Sequence, residues 1–409
     1  QHIGAYQVED AGKIITFLDA PGHEAFSAIR SRGAKVADVA ILVVAADESL
    51  KPQTKEASGL ILSANLPFVV AINKIDKAGA NAQKVKQDLA QESVLVEDWG
   101  GQVPVVEISA KTGQGISQLL EVVALVAELA ELKADPTHLA RGVIIESHLD
   151  KRRGYVATAL VQDGTLHVGD WIVAGHVVGK VKSMEDFRGQ TIQEALPAQP
   201  TLVTGWLEAA AVGALFQGAP TKKSAEDMAQ DSVMPAPAPF DSFRAGDQAV
   251  VTDKTVLNVI FKADVASSLE ALQTSLGQIS HPQVALRILA SSIGAIGEGD
   301  IKTAAAKGAI IVGFRVGVDA TAQKLAERDN ISVLTFDIIY ELIESVRARL
   351  GSLIPHTTER TVTGKLRVLA IFKTDKRSVI LGGKVTTGTI KKGATIDVVR
   401  NDIPTRVGK

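Results

Sequence analysis

Apolar positions along this chain follow two rhythms that alternate in blocks. Over residues 1–133, continuous runs of Val, Ile, Leu and Ala alternate with stretches of helical periodicity. The runs Ile14–Leu18, Val39–Val44, Phe68–Ile72 and Val105–Ile108 predict strands, and Ala25–Arg32, Gln53–Ala64, Ala82–Gln91 and Gly115–Leu132 predict helices. Continuous apolar strands are covered on both faces, so this block reads as a parallel sheet in an α/β domain. Over 134–217 the strands become short and are punctuated by Gly/Asp turns such as Gln162-Asp163-Gly164-Thr165: Arg141–Ser147, Gly154–Gln162, Trp171–Ala174 and Gly179–Met184 predict a small antiparallel barrel. Residues 218–254 are dominated by Ala, Pro, Ser, Asp and Lys around Pro235-Ala236-Pro237-Ala238-Pro239, a composition that buries little and reads as a linker.

Strand–helix alternation returns over 255–354. Strands are expected at Val256–Phe261, Val284–Ala290, Ala309–Phe314 and Ser332–Phe336, and helices at Ala266–Leu276, Asp300–Lys307, Ala320–Arg328 and Ile339–Leu350. Residues 357–409 revert to short strands with Gly-rich turns, the start of a second small barrel. The fold class is therefore multi-domain α/β plus β-barrels: a parallel-sheet domain (1–133), an antiparallel barrel (134–217), a linker (218–254), an α/β/α domain (255–354) and a partial barrel (357–409).

Ligands of open parallel sheets sit outside the carboxyl ends of the strands, and the polar motifs of the first block fall there. Asp19-Ala20-Pro21-Gly22-His23 follows one strand, Asn73-Lys74-Ile75-Asp76 another and Ser109-Ala110-Lys111 a third. In the first motif the strand fixes the acid, and Gly22 lets a backbone N–H approach a phosphate closely. In the second, the Asp76 carboxylate can accept from both N1–H and the exocyclic amine of guanine. Asn73 can tie neighbouring loops together, and the Lys74 stem can lie over the base. In the third, a small residue leaves room for a backbone N–H to reach guanine O6. Adenine presents a donor there and would lose the pairing, at a cost of several kcal/mol.

Composition narrows the classes. The 409 residues are too many for one core, and no apolar run reaches the ~20 residues of a membrane helix. Zero cysteines exclude disulfides and thiolate metal sites. A formal charge of −2 argues against a general nucleic-acid coat but leaves room for local basic patches such as Lys151-Arg152-Arg153, which reads equally as an RNA-phosphate contact or a solvated hairpin tip. Gly294-Ala295-Ile296-Gly297-Glu298-Gly299 has G-x-x-G-x-G spacing rather than that of a dinucleotide loop, and reads as an ordinary turn.

The motifs, in this order, resemble those of the translational GTPases, and most closely the bacterial initiation factor two family. Gln1–Tyr6, DAPGHEAF, SRGAKVAD, VVAADESLKPQT, NKIDK and Glu97-Asp98-Trp99-Gly100-Gly101 carry the likeness in the first domain. ESHLDKRRGYVATALVQDGTLHVGDWIVAG carries it in the second and FKADVASSLEAL in the third. The resemblance implies an enzyme that hydrolyses GTP to GDP with Mg²⁺ when activated by the ribosome. Its implied partners are both ribosomal subunits with their RNA and initiator formylmethionyl-tRNA, and it implies a monomeric cytoplasmic protein. It further implies that Asp19 holds the Mg²⁺ shell through water, that Pro21 and Gly22 line the γ-phosphate, and that His23 orients the attacking water. Asn73, Lys74, Asp76, Ser109, Ala110 and Lys111 would hold the base.

One element of such a site is not in the sequence. No G-x-x-x-x-G-K-[ST] loop occurs; Gly175–Val181 is too short in spacing, and Gly382-Gly383-Lys384-Val385 lacks the hydroxyl. The resemblance places that loop upstream of Gln1. Two alternatives remain open at this stage. An elongation-type GTPase would share the motifs but lack the α/β/α domain, and a ribosome-docking protein that hydrolyses nothing would follow from true loss of the loop.

Overall fold

The computed structural model describes residues 4–10, 12–22, 26–48, 50–231, 255–277, 279, 281, 283–354, 362–374, 379–400 and 403–408. His23, residues 232–254 with their Pro-Ala repeat, and the basic residues Lys376 and Arg377 lie outside them. The chain divides into two compact units, Gln1–Ile354 and Pro355–Lys409.

The first domain begins with an antiparallel hairpin, β1 (Gly4–Asp10) and β2 (Lys13–Asp19), turned at Gly12 with φ +78°. Then follow α1 (Ser27–Val36), β3 (Ala40–Ala45), α2 (Pro52–Ser63), β4 (Phe68–Asn73), α3 (Ala82–Gln91), β5 (Val105–Glu107) and α4 (Ile116–Leu129). β3, β4 and β5 form a parallel sheet with β4 in the centre. Val69 to Ile72 of β4 are fully buried because both faces are covered. Val70 and Ile72 meet Ile61, Val85 and Leu89 of α2 and α3, while Val69 and Ala71 meet Leu119 and Val123 of α4.

The expected strand Ile14–Leu18 exists but is not in that sheet. It pairs along its whole length with β1, which the sequence pattern did not reveal, and is half-buried rather than enclosed. The reason is local: the tight Asp10–Lys13 turn makes the two strands nearest neighbours in sequence and space. Ile15 still packs against the sheet core, and Leu18 packs against Val143, Ile145 and Leu160 of the second domain.

The second domain contains β6 (Arg141–Asp150), β7 (Gly154–Asp163), β8 (Leu166–His167), β9 (Trp171–Ala174), β10 (Val177–Glu185), β11 (Thr191–Ile192), β12 (Glu194–Ala195), β13 (Pro200–Trp206) and β14 (Leu215–Ala219). The ring β10-β13-β7-β6-β14-β9 closes because β9 pairs with β10, giving a six-stranded antiparallel barrel with β11 on its margin. Closure leaves no open edge in the ring. The start of the expected linker is corrected: residues 215–219 are the closing strand, and α5 (Lys222–Asp231) packs Ala225 and Met228 onto Val173 and Val178. A ten-residue, strongly polar helix held by three apolar side chains, Ala225, Met228 and Ala229, gives little periodicity to read.

In the third domain all four strands are parallel, β15 (Thr255–Ala263), β16 (Val284–Ile293), β17 (Ile310–Phe314) and β18 (Val333–Phe336), in the order β16-β15-β17-β18. α6 (Ala266–Gly277) and α9 (Ile339–Ser352) cover one face through Leu272, Leu276, Leu342 and Val346; α7 (Glu298–Lys307) and α8 (Ala320–Arg328) cover the other through Ile301, Ala304 and Ala322. This is the expected α/β/α arrangement. The Gly294–Gly299 turn is a helix start: Gly297 N–H donates to Asp300 of α7, and Ile296 is buried. The second unit holds two antiparallel pairs, β19 (Gly364–Thr374) with β20 (Val379–Gly388) and β21 (Ile396–Arg400) with β22 (Ile403–Gly408). Among the described residues no helix is long and apolar enough to cross a membrane.

Candidate nucleotide site

The carboxyl ends of β3, β4 and β5 are stitched into one rim. Ala46 N–H, just past β3, donates to the Asn73 carbonyl at 2.7 Å, and Ile75 N–H donates to the Ile108 carbonyl at 3.3 Å. Parallel neighbours ending in register present their following loops side by side, so the NKID and SAK motifs converge although 37 residues separate Asn73 from Ala110.

Asn73 is the hub. Its side-chain oxygen accepts from the Lys74 N–H at 2.7 Å and from the Ala110 N–H at 3.0 Å. Lys74 sits at φ +67°, a left-handed backbone that a side-chain-bearing residue adopts only when its surroundings over-determine it. Asn73's grip on the Lys74 amide is part of that constraint. Asp76, exposed, accepts at 2.6 Å from the hydroxyl of Ser109, which is fully buried. That hydrogen bond holds the Asp76 carboxyl below the usual carboxylate range, with the nearby Lys111 and Lys77 charges adding to it. The carboxylate is thus ionised and aimed before any ligand arrives.

The SAK loop is tied back on itself by its own backbone. Ser109 N–H donates to the Gln114 carbonyl at 3.0 Å and Gly113 N–H returns to the Ser109 carbonyl at 2.9 Å. Gly115 then starts α4 at φ +74°, where a Cβ would meet the Glu107 carbonyl oxygen at 2.4 Å.

One residue of this rim was missed by sequence reasoning. Asp47, two residues beyond β3, receives Lys77 at 2.7 Å and Lys74 at 3.5 Å. The Lys77 hydrogen bond lowers the Asp47 carboxyl, with Lys74 contributing. The strand-end rule, applied to β3 as it was to β4 and β5, would have found it. Asp47 anchors the Lys74 ammonium, so the stem of Lys74 is held at both ends.

The Asp19–Gly22 turn leaves β2, in the hairpin, and Asp19 is exposed. Pro21 is buried, and its carbonyl accepts from Arg30 Nη1 at 2.8 Å; Gly22 is exposed. Among the described residues no hydrogen bond or ion pair joins Asp19 or Gly22 to the Asn73–Asp76–Ser109 cluster, and no group of three His, Asp or Glu could hold a metal. The structure therefore brings together Asn73, Lys74, Asp76, Ser109 and Ala110, with Lys111 next in the loop. Asp19, Pro21 and Gly22 form a separate turn, and His23 is outside the described residues.

Comparisons with known proteins cover the same three domains. Residues 1–128 match the elongation factor Tu GTP binding domain, 139–218 elongation factor G domain 2, and 243–347 translation-initiation factor 2. Translation initiation factor IF-2 of Desulforamulus reducens is 42% identical over 419 residues, covering 100% of this chain and 42% of that protein. The factor of the same name from Clostridium perfringens is 42% identical over 412 residues, covering 98% of this chain and 60% of that protein. The chain thus spans roughly half the length of these relatives. A solved structure, GDP-bound aIF5B from Aeropyrum pernix, covers 100% of this chain and 81% of its own at 24% identity and a TM-score of 0.48. Three family models thus fall in the same order as the three domains, and along 98–100% of its own length the chain is similar to proteins named translation initiation factor IF-2.

Proposed function

We propose that this chain is the nucleotide-sensing part of a translation initiation GTPase, one that helps place initiator formylmethionyl-tRNA on the small ribosomal subunit, promotes subunit joining and is stimulated by the ribosome to hydrolyse GTP. The observation that carries the reading is the cluster in which Asn73 binds the Ala110 amide while Ser109 binds Asp76. An ionised carboxylate held by a buried hydroxyl is an acceptor pair for the N1–H and amine of guanine. Adenine, with no donors at those positions, leaves Asp76 unpaired. Because the Ala110 N–H is already given to Asn73, the contact to guanine O6 falls to the next amide, that of Lys111.

Asp19, a single carboxylate at a strand end, suits Mg²⁺, which keeps most of its waters and takes one or two carboxylates alongside substrate phosphates. When bound, Mg²⁺ offsets the charge gathering on the phosphate oxygens. Asp19 would orient a water of that shell, Gly22 would donate its N–H to the γ-phosphate, and His23 would orient the attacking water without acting as a base. Favouring an initiation factor over an elongation-type enzyme is the α/β/α domain over Thr255–Ile354, which coincides with the stretch matched to translation-initiation factor 2.

No G-x-x-x-x-G-K-[ST] loop occurs in the 409 residues, so this chain alone is expected to hold GTP more weakly than micromolar. The test is displacement of a fluorescent GDP from the full-length protein. Guanine nucleotides should displace it and adenine nucleotides should not; equal displacement by ADP would refute the reading.

A further inference from the structure

The Asp19–Gly22 turn is held by a residue that neither the motif nor the family resemblance singles out. Arg30, on the first turn of α1, is buried at 8% exposure and folds its guanidinium back under the turn. One arm, Nη1, donates to the Pro21 carbonyl at 2.8 Å, and the other, Nη2, donates to Glu56 Oε2 on α2 at 2.7 Å. A buried guanidinium is tolerated only when paired, and its planar fork spans two acceptors in a fixed geometry. The helix beneath it is itself fixed. Phe26 and Ile29 are buried in the core that holds Leu272 and Val284 of the third domain, and Arg32 pairs with Glu270 of α6.

The Pro21 carbonyl and the Gly22 N–H belong to one peptide unit. That unit is planar and trans, so its oxygen and its hydrogen point in opposite directions. Anchoring the oxygen on Arg30 therefore turns the Gly22 N–H away from α1. Gly22 is exposed, and a Cβ built there would meet nothing within 4 Å, so the residue that carries this N–H lies at the surface and is not packed into the domain. We propose that Arg30, braced by Glu56, is the positioning residue that aims the Gly22 N–H at the terminal phosphate of the nucleotide. The inference rests on the reading of Gly22 as phosphate-facing given above. It adds a second consequence: α2 reports on the turn through Glu56, because that carboxylate braces Nη2 of the same guanidinium that holds the Pro21 carbonyl.

Pro21-Gly22 is the one Pro-Gly pair in the sequence. Labelling proline at the carbonyl carbon and glycine at nitrogen therefore isolates the Gly22 amide in a carbonyl-filtered spectrum of this chain, without nucleotide. Arg30→Lys, which keeps the charge but offers one nitrogen, should move that resonance. Glu56→Gln should move it in the same direction by less, and Lys302→Ala on distant α7 should leave it in place. In the full-length protein, Arg30→Lys should lower kcat for ribosome-stimulated hydrolysis by about tenfold with the KM for GTP changed by less than about twofold. A Gly22 resonance unmoved by Arg30→Lys would overturn the clamp, and a moved resonance with unchanged kcat would overturn its positioning role. Wild-type protein that failed to prefer GTP over ATP would instead overturn the functional reading, a result the nucleotide-free spectrum keeps separate.

Discussion

The side-chain oxygen of Asn73 lies 3.0 Å from the Ala110 amide nitrogen, and through this one bond the loops after two neighbouring parallel strands become a single surface. A second bond, 2.7 Å to the Lys74 amide, comes from the same oxygen. Replacing Asn73 by Ala removes the one acceptor that both amides share and leaves them to find water, at about 1–3 kcal/mol. Guanine nucleotide affinity of the full-length protein should fall by about tenfold or more, while the thermal midpoint of this chain moves by only a few degrees. Equilibrium binding of a fluorescent GDP checks it.

How much of this was readable beforehand varied with the kind of signal. The third domain was legible almost element by element, because its strands are packed between helices and read as mostly apolar runs interrupted by polar residues such as Asn258 and Arg287. β1 was not legible: Gly-Ala-Tyr-Gln-Val-Glu-Asp is mixed along its length and is held by pairing with β2, a relation between two segments that composition does not carry. Residues proposed to bind the nucleotide directly announce themselves as motifs at strand ends. Residues that hold those motifs do not. Arg30 and Asp47 act through partners on other elements, Glu56 and Pro21 for the first, Lys74 and Lys77 for the second. The position of Arg30 becomes meaningful only once the chain is folded, whereas Asp47 lies past the end of β3, where the strand-end rule points.

The joint between barrel and third domain carries a pH dependence. Glu146 of β6 is buried at 6% exposure, and its carboxylate accepts from the Ser147 N–H at 2.9 Å, the Ser267 N–H at 3.3 Å and the Ser267 hydroxyl at the start of α6. Burial pushes its carboxyl above the ordinary range, with Asp264 adding to the push and the three hydrogen bonds opposing it. The folded chain therefore holds this proton more tightly than the unfolded one. The stability this lends is fully present below the unfolded value of about 4.3 and is lost as pH rises through the raised folded value. Glu146→Gln keeps an acceptor for both amides and can donate to the Ser267 oxygen. It should be at least as stable as the wild type at pH 8 and should lose this component of the pH dependence. Denaturant midpoints measured from pH 4 to pH 8 test it; parallel curves for the two proteins would contradict it.

His23→Ala should abolish ribosome-stimulated hydrolysis by the full-length protein while leaving nucleotide affinity within about twofold, because positioning of the water is a transition-state contribution and not a ground-state one. Single-turnover hydrolysis on ribosomes, with GDP affinity measured in parallel, reads the two effects separately. Retained turnover would assign the water to another residue.

Guanine selectivity in this site rests on Asp76 reading the base. Its carboxylate is held ionised by the Ser109 hydroxyl, and Asp76→Asn replaces one of its two acceptor oxygens by a donor. Guanine presents two donors to that edge, whereas xanthine presents an acceptor in place of the amine. The direct measurement is the affinity of wild-type and Asp76→Asn full-length protein for GDP and XDP. The account predicts that the variant loses GDP affinity by on the order of a hundredfold and gains XDP in its place. Unchanged GDP affinity in the variant would contradict it.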